Sequence, residues 1–191
     1  SSKINYLNWS DDDKNILASG TEYIYDWEIK EEHDTKPKIA QTNVISAVYC
    51  DKNKSIIAST DDNCLRKLLK DNQNYSIEAF DYTMRELHAF KKSKIVICAT
   101  TKLVSNQDNN QEGNEKNINN NTTSCLRVFP EINKSYEYMD IPSHQGETIR
   151  VRYNFEENKI FTCGEDGCIN VYSIEIPFDE PEKFLNEQNS S

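Results

Sequence analysis

The sequence predicts an all-β chain that forms about four blades of a larger β-propeller ring, and three observations carry that reading. Alternating apolar runs recur along the 191 residues. The connections between them are short and rich in Asp, Asn and Gly, residues that tolerate tight turns. A strand–turn–strand unit also returns at a spacing of about 40 residues, the period of a propeller blade.

The clearest copy of the unit is "FTCGEDGCINVYSI", Phe161 to Ile174, in which Asp166 and Gly167 sit in a tight turn between two alternating runs. The stretches "ILASGTEYIYDWEI" (Ile16 to Ile29) and "IIASTDDNCLRKLL" (Ile56 to Leu69) share its grammar of apolar strand, small residue, polar turn and alternating strand. Ile56 lies 40 residues beyond Ile16, and Ile95 of "IVICATT" a further 39. The partner of that third strand, "CLRVFP" (Cys125 to Pro130), comes only after a polar interruption, and removing about 25 residues for it restores the period up to Ile160.

Each hairpin follows another alternating strand: "INYLNWS", "VISAVYC", "MRELHAF" and "TIRVRYNF". Segments such as "PKIAQ" and "YEYMDIP" supply a fourth, outer strand, which completes an antiparallel four-stranded blade. The propeller segment is predicted over residues 1–178 and a tail over 179–191, where Pro181 follows two acids as at a helix start. The Asn-rich stretch Ser105 to Ser124 inside the third hairpin is too polar to offset its ordering entropy, so it reads as a flexible surface insert.

Thirty-two acidic against 22 basic residues give a net charge of −10, which repels phosphate backbones and anionic lipid, so nucleic acid and membrane partners are not expected. No run approaches the roughly 20 apolar residues that cross a bilayer. A soluble cytoplasmic protein is the expectation. The six cysteines are embedded in apolar or alternating runs without a CxxC pair, as reduced core thiols are.

Little in the chain reads as catalytic. His33, His88 and His144 fall in separate repeats, and no HExxH, GxSxG or phosphate-cradling glycine loop occurs. No enzyme activity and no cofactor are expected. One rival reading is a metal-dependent module using His144, Cys163 and Cys168; cysteines on both arms of a core hairpin are more simply read as core. The acidic "SDDDKN" (Ser10 to Asn15) lacks the distal Glu and mid-loop Gly of a calcium loop and reads as a solvated turn.

The fourth copy resembles the WD-repeat family. His144 stands where that family's Gly-His dipeptide falls, Thr162 at its Ser/Thr, Asp166 in the turn and Tyr172 in place of the signature Trp. The resemblance implies a WD40-type propeller and a buried hydrogen-bond set of His144, Thr162, Asp166 and Tyr172. The other copies keep less of it: Trp27 retains the aromatic and Asp62 the carboxylate, while Leu68 replaces the aromatic in the second copy.

The wording of "YLNWSDDDKNILASGTEYIYDWEI" and "HQGETIRVRYNFEENKIFTCGEDGCINVYSI" is similar to the large cilia- and flagella-associated WD-repeat proteins. That resemblance implies a non-enzymatic scaffold in the cilium or flagellum axoneme. Its role would be an adaptor that attaches inner-arm dynein or regulatory complexes to doublet microtubules. The rival within the fold is a scaffold of another intracellular assembly, a trafficking coat or ribosome assembly.

In an antiparallel meander the second-to-third turns share one end with the crossings between blades. Glu22, Tyr23, Asp61, Asp62, Asn63, Gln145 and Glu165 are therefore expected on one acidic face suited to a basic protein partner. Four blades leave exposed edges at both ends, so further blades from the same or another chain are expected to complete the ring.

Overall fold

The computed structural model describes residues 3–29, 38–69, 74–79, 82–90, 93–104, 121–132, 137–154 and 156–174. Thirteen strands fill them: β1 (Ile4–Trp9), β2 (Asn15–Glu28), β3 (Lys38–Cys50), β4 (Ser55–Thr60), β5 (Cys64–Leu69), β6 (Asn74–Ala79), β7 (Thr83–Ala89), β8 (Val96–Val104), β9 (Asn121–Phe129), β10 (Met139–Gln145), β11 (Thr148–Asn154), β12 (Lys159–Gly164) and β13 (Ile169–Ser173). Every pairing is antiparallel, and the described residues contain no helix.

The sheets run β1-β2-β3-β4-β5-β6, β10-β9-β8-β7 and β11-β12-β13. Two features of the six-stranded sheet make it a pair of blades. Ile29 N donates to Lys14 O at 2.7 Å; a straight strand would hold those residues about 50 Å apart. β2 is therefore a hairpin folded on itself. Its first arm pairs with β1 through Ile16 to Gly20 and its second with the start of β3 through Tyr23 and Ile24. β3 then serves twice, as the outer strand of blade 1 at Lys38 and Ile39 and as the inner strand of blade 2 from Val44 to Cys50. Blade 3 is β7 to β10, and blade 4 is β11 to β13 in the described residues.

The turns explain how the chain manages with only five glycines. Asp13, Asp51, Asn53, Asn63 and Asn158 take positive φ between 51° and 63°, the left-handed region that Asn and Asp tolerate best after Gly. In the third hairpin the ladder runs further than the polar composition suggests. Asn121 to Ser124 continue β9 and pair with Val104 to Thr101, so the expected insert loses its last four residues to a strand. Two of those four are Thr, whose β-branch suits a strand. Residues 105–120 and the tail 179–191 lie outside the described residues.

Each gap between neighbouring blades holds its own apolar layer. Leu17, Ile24, Ala47, Tyr49, Ile56 and Leu68 fill the gap between blades 1 and 2. Val48, Ile57, Leu65, Leu87, Val96 and Phe129 fill the next. Ile97, Leu126, Val128, Val151, Ile160 and Ile174 fill the third. The inner strands β1, β3, β7 and β11 stand side by side, and side chains on each reach the backbone of the next. Leu87 N donates to Ser46 Oγ at 3.1 Å, and Val151 N to the buried Glu86 at 2.7 Å.

Candidate interaction face

The site is assembled where the β12–β13 turn meets the crossing from β10 into β11. His144, near the end of β10, is buried with both ring nitrogens engaged. Nδ1 lies 2.9 and 3.1 Å from the Asp166 carboxylate oxygens, and Nε2 lies 2.8 Å from Thr162 Oγ1. Asp166 also accepts from Cys168 N at 3.0 Å and Gln145 N at 3.1 Å. The Cys168 amide is the main cause that holds this carboxyl below its ordinary range, with the Gln145 amide and His144 adding to it. A carboxylate fixed by two amides and an imidazole locks the turn to the crossing.

Gly164 is the residue that admits the imidazole. A Cβ there would stand 2.3 Å from His144 Cγ, far inside contact distance. Its signal in the sequence is the glycine two places after Thr162, which the turn chemistry alone does not demand. Tyr172 lies apart from the trio: its hydroxyl donates to Pro142 O at 3.1 Å rather than to Thr162. Tyr172 thus ties β13 to β10 and stands outside the hydrogen-bond set in which the resemblance includes it.

Equivalent corners in the other blades use other atoms. In blade 2, Asn43 Nδ2 donates to Asp61 at 2.8 Å across the crossing, Thr60 Oγ1 donates to Asp62 at 2.5 Å, and Asp62 is ion-paired to Arg66. Partial burial works to raise the Asp62 pKa, but the bonds from Thr60 and Arg66 outweigh it and hold the carboxyl low. In blade 3, Thr100 Oγ1 donates to Cys125 O at 3.1 Å. Ser124, missed as part of the insert, donates from its hydroxyl to Gly146 O and accepts from Thr148 N, joining blade 3 to the corner of blade 4.

Asp61, Asn63, Gln145, Glu165 and Asp166 all stand at this end of the strands, with Asn63 in the left-handed turn position. Glu165 is exposed, and its carboxylate accepts from Glu147 N at 3.1 Å. The side chain of Glu22 lies outside the described residues. Tyr23 does not join the face: its ring lies tilted beside Tyr25 along β2, 6.5 Å between centroids, and Tyr25 beside Trp27 at 5.5 Å. Ile24 and Asp26 point the other way, toward blade 2, so the three aromatics occupy the open flank of blade 1.

His144, Cys163 and Cys168 are not brought together as ligands. Both ring nitrogens of His144 are spent, Cys168 is exposed, and no group of three His, Cys, Asp or Glu among the described residues is placed to hold a metal. In the "SDDDKN" turn, Ser10 Oγ donates to Asp12 at 2.7 Å and accepts from Lys14 N and Asn15 N, a self-satisfied polar corner.

No family model matches the chain. It is similar to cilia- and flagella-associated protein 57 A of Tetrahymena thermophila, 25% identical over 199 residues that cover 90% of this chain and 15% of that protein. In three dimensions it is similar to a WD40-type chain in a crystal structure of the mitotic checkpoint complex. The TM-score is 0.61 at 12% identity, over 90% of this chain and 51% of the other. The fold is a partial WD40-type propeller. Sequence period and topology agree on it: each propeller blade here is a meander whose inner strand follows the outer strand of the blade before.

Proposed function

We propose that the chain is a non-enzymatic protein-interaction scaffold, and that its partners belong to the axoneme of a cilium or flagellum. The observation that carries the scaffold reading is the corner geometry. Acidic groups at Asp61, Asp62, Glu165 and Asp166 are held at one end of the strands by bonds to crossings and turns. Rigid presentation of charge on loops braced by a β scaffold is how an interaction surface gains specificity at low entropic cost. A basic segment of a partner complements it. The similarity to a cilia- and flagella-associated protein supports the ciliary part of this reading; in its finer form the scaffold attaches inner-arm dynein or regulatory complexes to doublet microtubules.

The flanks support completion of the ring by further blades. Leu7 and Trp9 are 59% and 57% exposed on the flank of blade 1, and Ile169 and Val171 are 72% and 53% exposed on that of blade 4. Exposed apolar rows of this kind are surfaces that a further blade would cover.

The test is fractionation of ciliated cells that express the tagged full-length protein, wild type and Asp61→Lys/Glu165→Lys. The wild type is expected with the detergent-insoluble axonemes at moderate salt, and the charge-reversed form in the soluble fraction. A wild-type protein absent from axonemes removes the ciliary reading. Equal retention of both forms removes the acidic face as the contact.

A further inference from the structure

The open flank of blade 4 is ordered in rows. Residues directly opposite in an antiparallel pair share a face, and alternate positions return to it. Arg150 pairs with Cys163 and Cys163 with Ile169, and the next row on that side is Arg152, Phe161 and Val171. Val151, between the two arginines, faces the other way, into the layer shared with blade 3. Each row of the open flank thus starts with a guanidinium on the inner strand and ends in exposed apolar surface.

Blades 2 and 3 show what this place on the inner strand does when another blade follows. Ser59 and Cys163 each stand three places before a turn aspartate, Asp62 and Asp166, so Ser46, which pairs with Ser59, is the counterpart of Arg150. Ser46 Oγ accepts from Leu87 N of the next inner strand, and Glu86 of blade 3 in turn accepts from Val151 N. Both present an acceptor to the blade that follows, and arginine has none to present.

The charges nearby do not satisfy Arg150 either. Its Nη1 donates to Ile149 O at 2.8 Å, and its Nε stands 3.9 Å from Glu86 Oε1. That oxygen already accepts from Arg152 Nη1 at 2.8 Å, and Glu147 is ion-paired to Arg85. Two guanidiniums of β11 therefore share one carboxylate, and the side chain of Arg150 is 61% exposed. A blade laid on this flank buries that surplus positive charge, which is strongly unfavourable unless an opposite charge meets it.

We infer that the blade covering this flank carries an aspartate or glutamate on its inner strand, whose carboxylate meets the Arg150 guanidinium while apolar side chains cover Ile169 and Val171. The inference rests on the reading that further blades complete the ring, and it adds the chemistry by which blade 4 selects its neighbour. A guanidinium meets a carboxylate with two parallel donors, so the pair also sets the register of the incoming strand against β11.

The experiment uses the tagged full-length protein, isolated natively from the cells that express it, as wild type and Arg150→Lys. Both are treated with a water-soluble carbodiimide, which joins an amine to a carboxylate in contact with it, and digested for mass spectrometry. The amine at position 150 is expected to be joined to an Asp or Glu of a blade other than blades 1 to 4, and the wild type to lack that link. N-ethylmaleimide reports separately whether the flank is covered: Cys163, in the Arg150 row, is expected to be spared while the exposed Cys168 is labelled. Arg150→Met gives a second reading without a cross-link. It strands the partner carboxylate, so Cys163 is expected to become reactive while the buried Cys50 and Cys98 stay unlabelled. Should that variant expose those two as well, the cross-link alone decides. Labelling of Cys163 in the wild type removes the completed ring and the inference with it. Where Cys163 is spared in the wild type, an amine joined only to Glu86 or Glu147, an amine joined to nothing, or a Cys163 still spared in Arg150→Met overturns the inference and leaves the ring standing.

Discussion

Blades 2 and 4 are written in nearly the same grammar and are buried very differently. In β4, "SIIAST", every residue is buried. In β12, "KIFTCG", burial alternates, and in β13, "INVYS", no residue is fully buried. The strands do not differ in propensity. They differ in neighbours: blade 2 has an apolar layer on both flanks, and blade 4 has one on a single flank. A run such as "IIAS" is thus an interior strand only because another blade covers its second face. The same holds for a parallel strand between two helix layers.

The largest effect that tests this contrast is in the gap between blades 2 and 3. Phe129 is fully buried there, so Phe129→Ala should lower stability by about 3–5 kcal/mol, lost transfer energy and cavity together. Val171→Ala, on the open flank of blade 4, should change it by under about 0.5 kcal/mol. Urea denaturation of the two variants measures both. Equal losses would mean that the flank of blade 4 is covered in solution, and the contrast would fail.

Next in size is the corner of blade 4. Gly164→Ala drives a methyl into the His144 ring and should cost about 1–3 kcal/mol, as overpacking does. Its diagnostic is a double-mutant cycle with His144→Ala, because a smaller side chain at 144 makes room for the methyl. The double variant should lose less than the sum of the single losses. Additive losses would show that Gly164 serves the backbone rather than the imidazole. Asp166 gives the corner a pH signature. Its carboxyl is held low in the folded chain, so its contribution is present above the unfolded pKa and is lost as pH falls through the folded one.

A smaller effect separates the inner strands from the surface. His88 is held at about 4 by burial, with Arg152 adding to the shift, against an ordinary 6.5. The folded chain therefore refuses a proton that the unfolded chain accepts. Between pH 6.5 and 4 this group's share of stability should fall by about 1 kcal/mol per pH unit as pH drops; above 6.5 it should have no slope. Comparing wild type with His88→Gln by chemical denaturation at pH 7, 6 and 5 isolates it, since the variant should lack that increment. Parallel curves would place His88 in contact with solvent.

How much of this was legible in the sequence follows the same division. The blade period, the inner strands and the turns show because each is local: alternation over a few residues, then an Asp, Asn or Gly. The outer strand "PKIAQ" and the inner strand "VISAVYC" show separately, but their continuity in one strand, β3, does not, because the backbone stays extended through Asn43, a residue type that elsewhere in the chain marks a turn. Tyr23 was expected on the turn face by its position beside Glu22, but side-chain alternation along β2 sends it to the flank with Tyr25 and Trp27. The His144–Asp166–Thr162 contacts join positions that only the resemblance to the WD-repeat family had grouped. Ser124 and Gly164 escaped notice because their partners, Gly146 and His144, lie in other strands or turns. The Glu86–Arg152 pair is long-range in the same way, and no local pattern marks it.

The smallest effect concerns charge on the two kinds of blade. Arg127 of blade 3 holds Asp140 with two bonds of 2.7 Å while lying 3.8 Å from the Tyr138 ring centroid, and its side chain is 3% exposed. Lys159 of blade 4 meets Glu157 at 3.1 Å, but the two side chains are 40% and 53% exposed. In water the attraction of such a pair is offset by screening and by the entropy of holding two long side chains. Lys159→Ala should therefore shift stability by no more than about 0.5 kcal/mol, and 1 M salt should erase the shift. A larger or salt-resistant loss would mean that the edge of blade 4 is shielded from solvent, which is the condition that would also make Val171→Ala costly. The two variants thus test one property, solvent access at the end of the sheet stack, through charge in one case and through apolar area in the other.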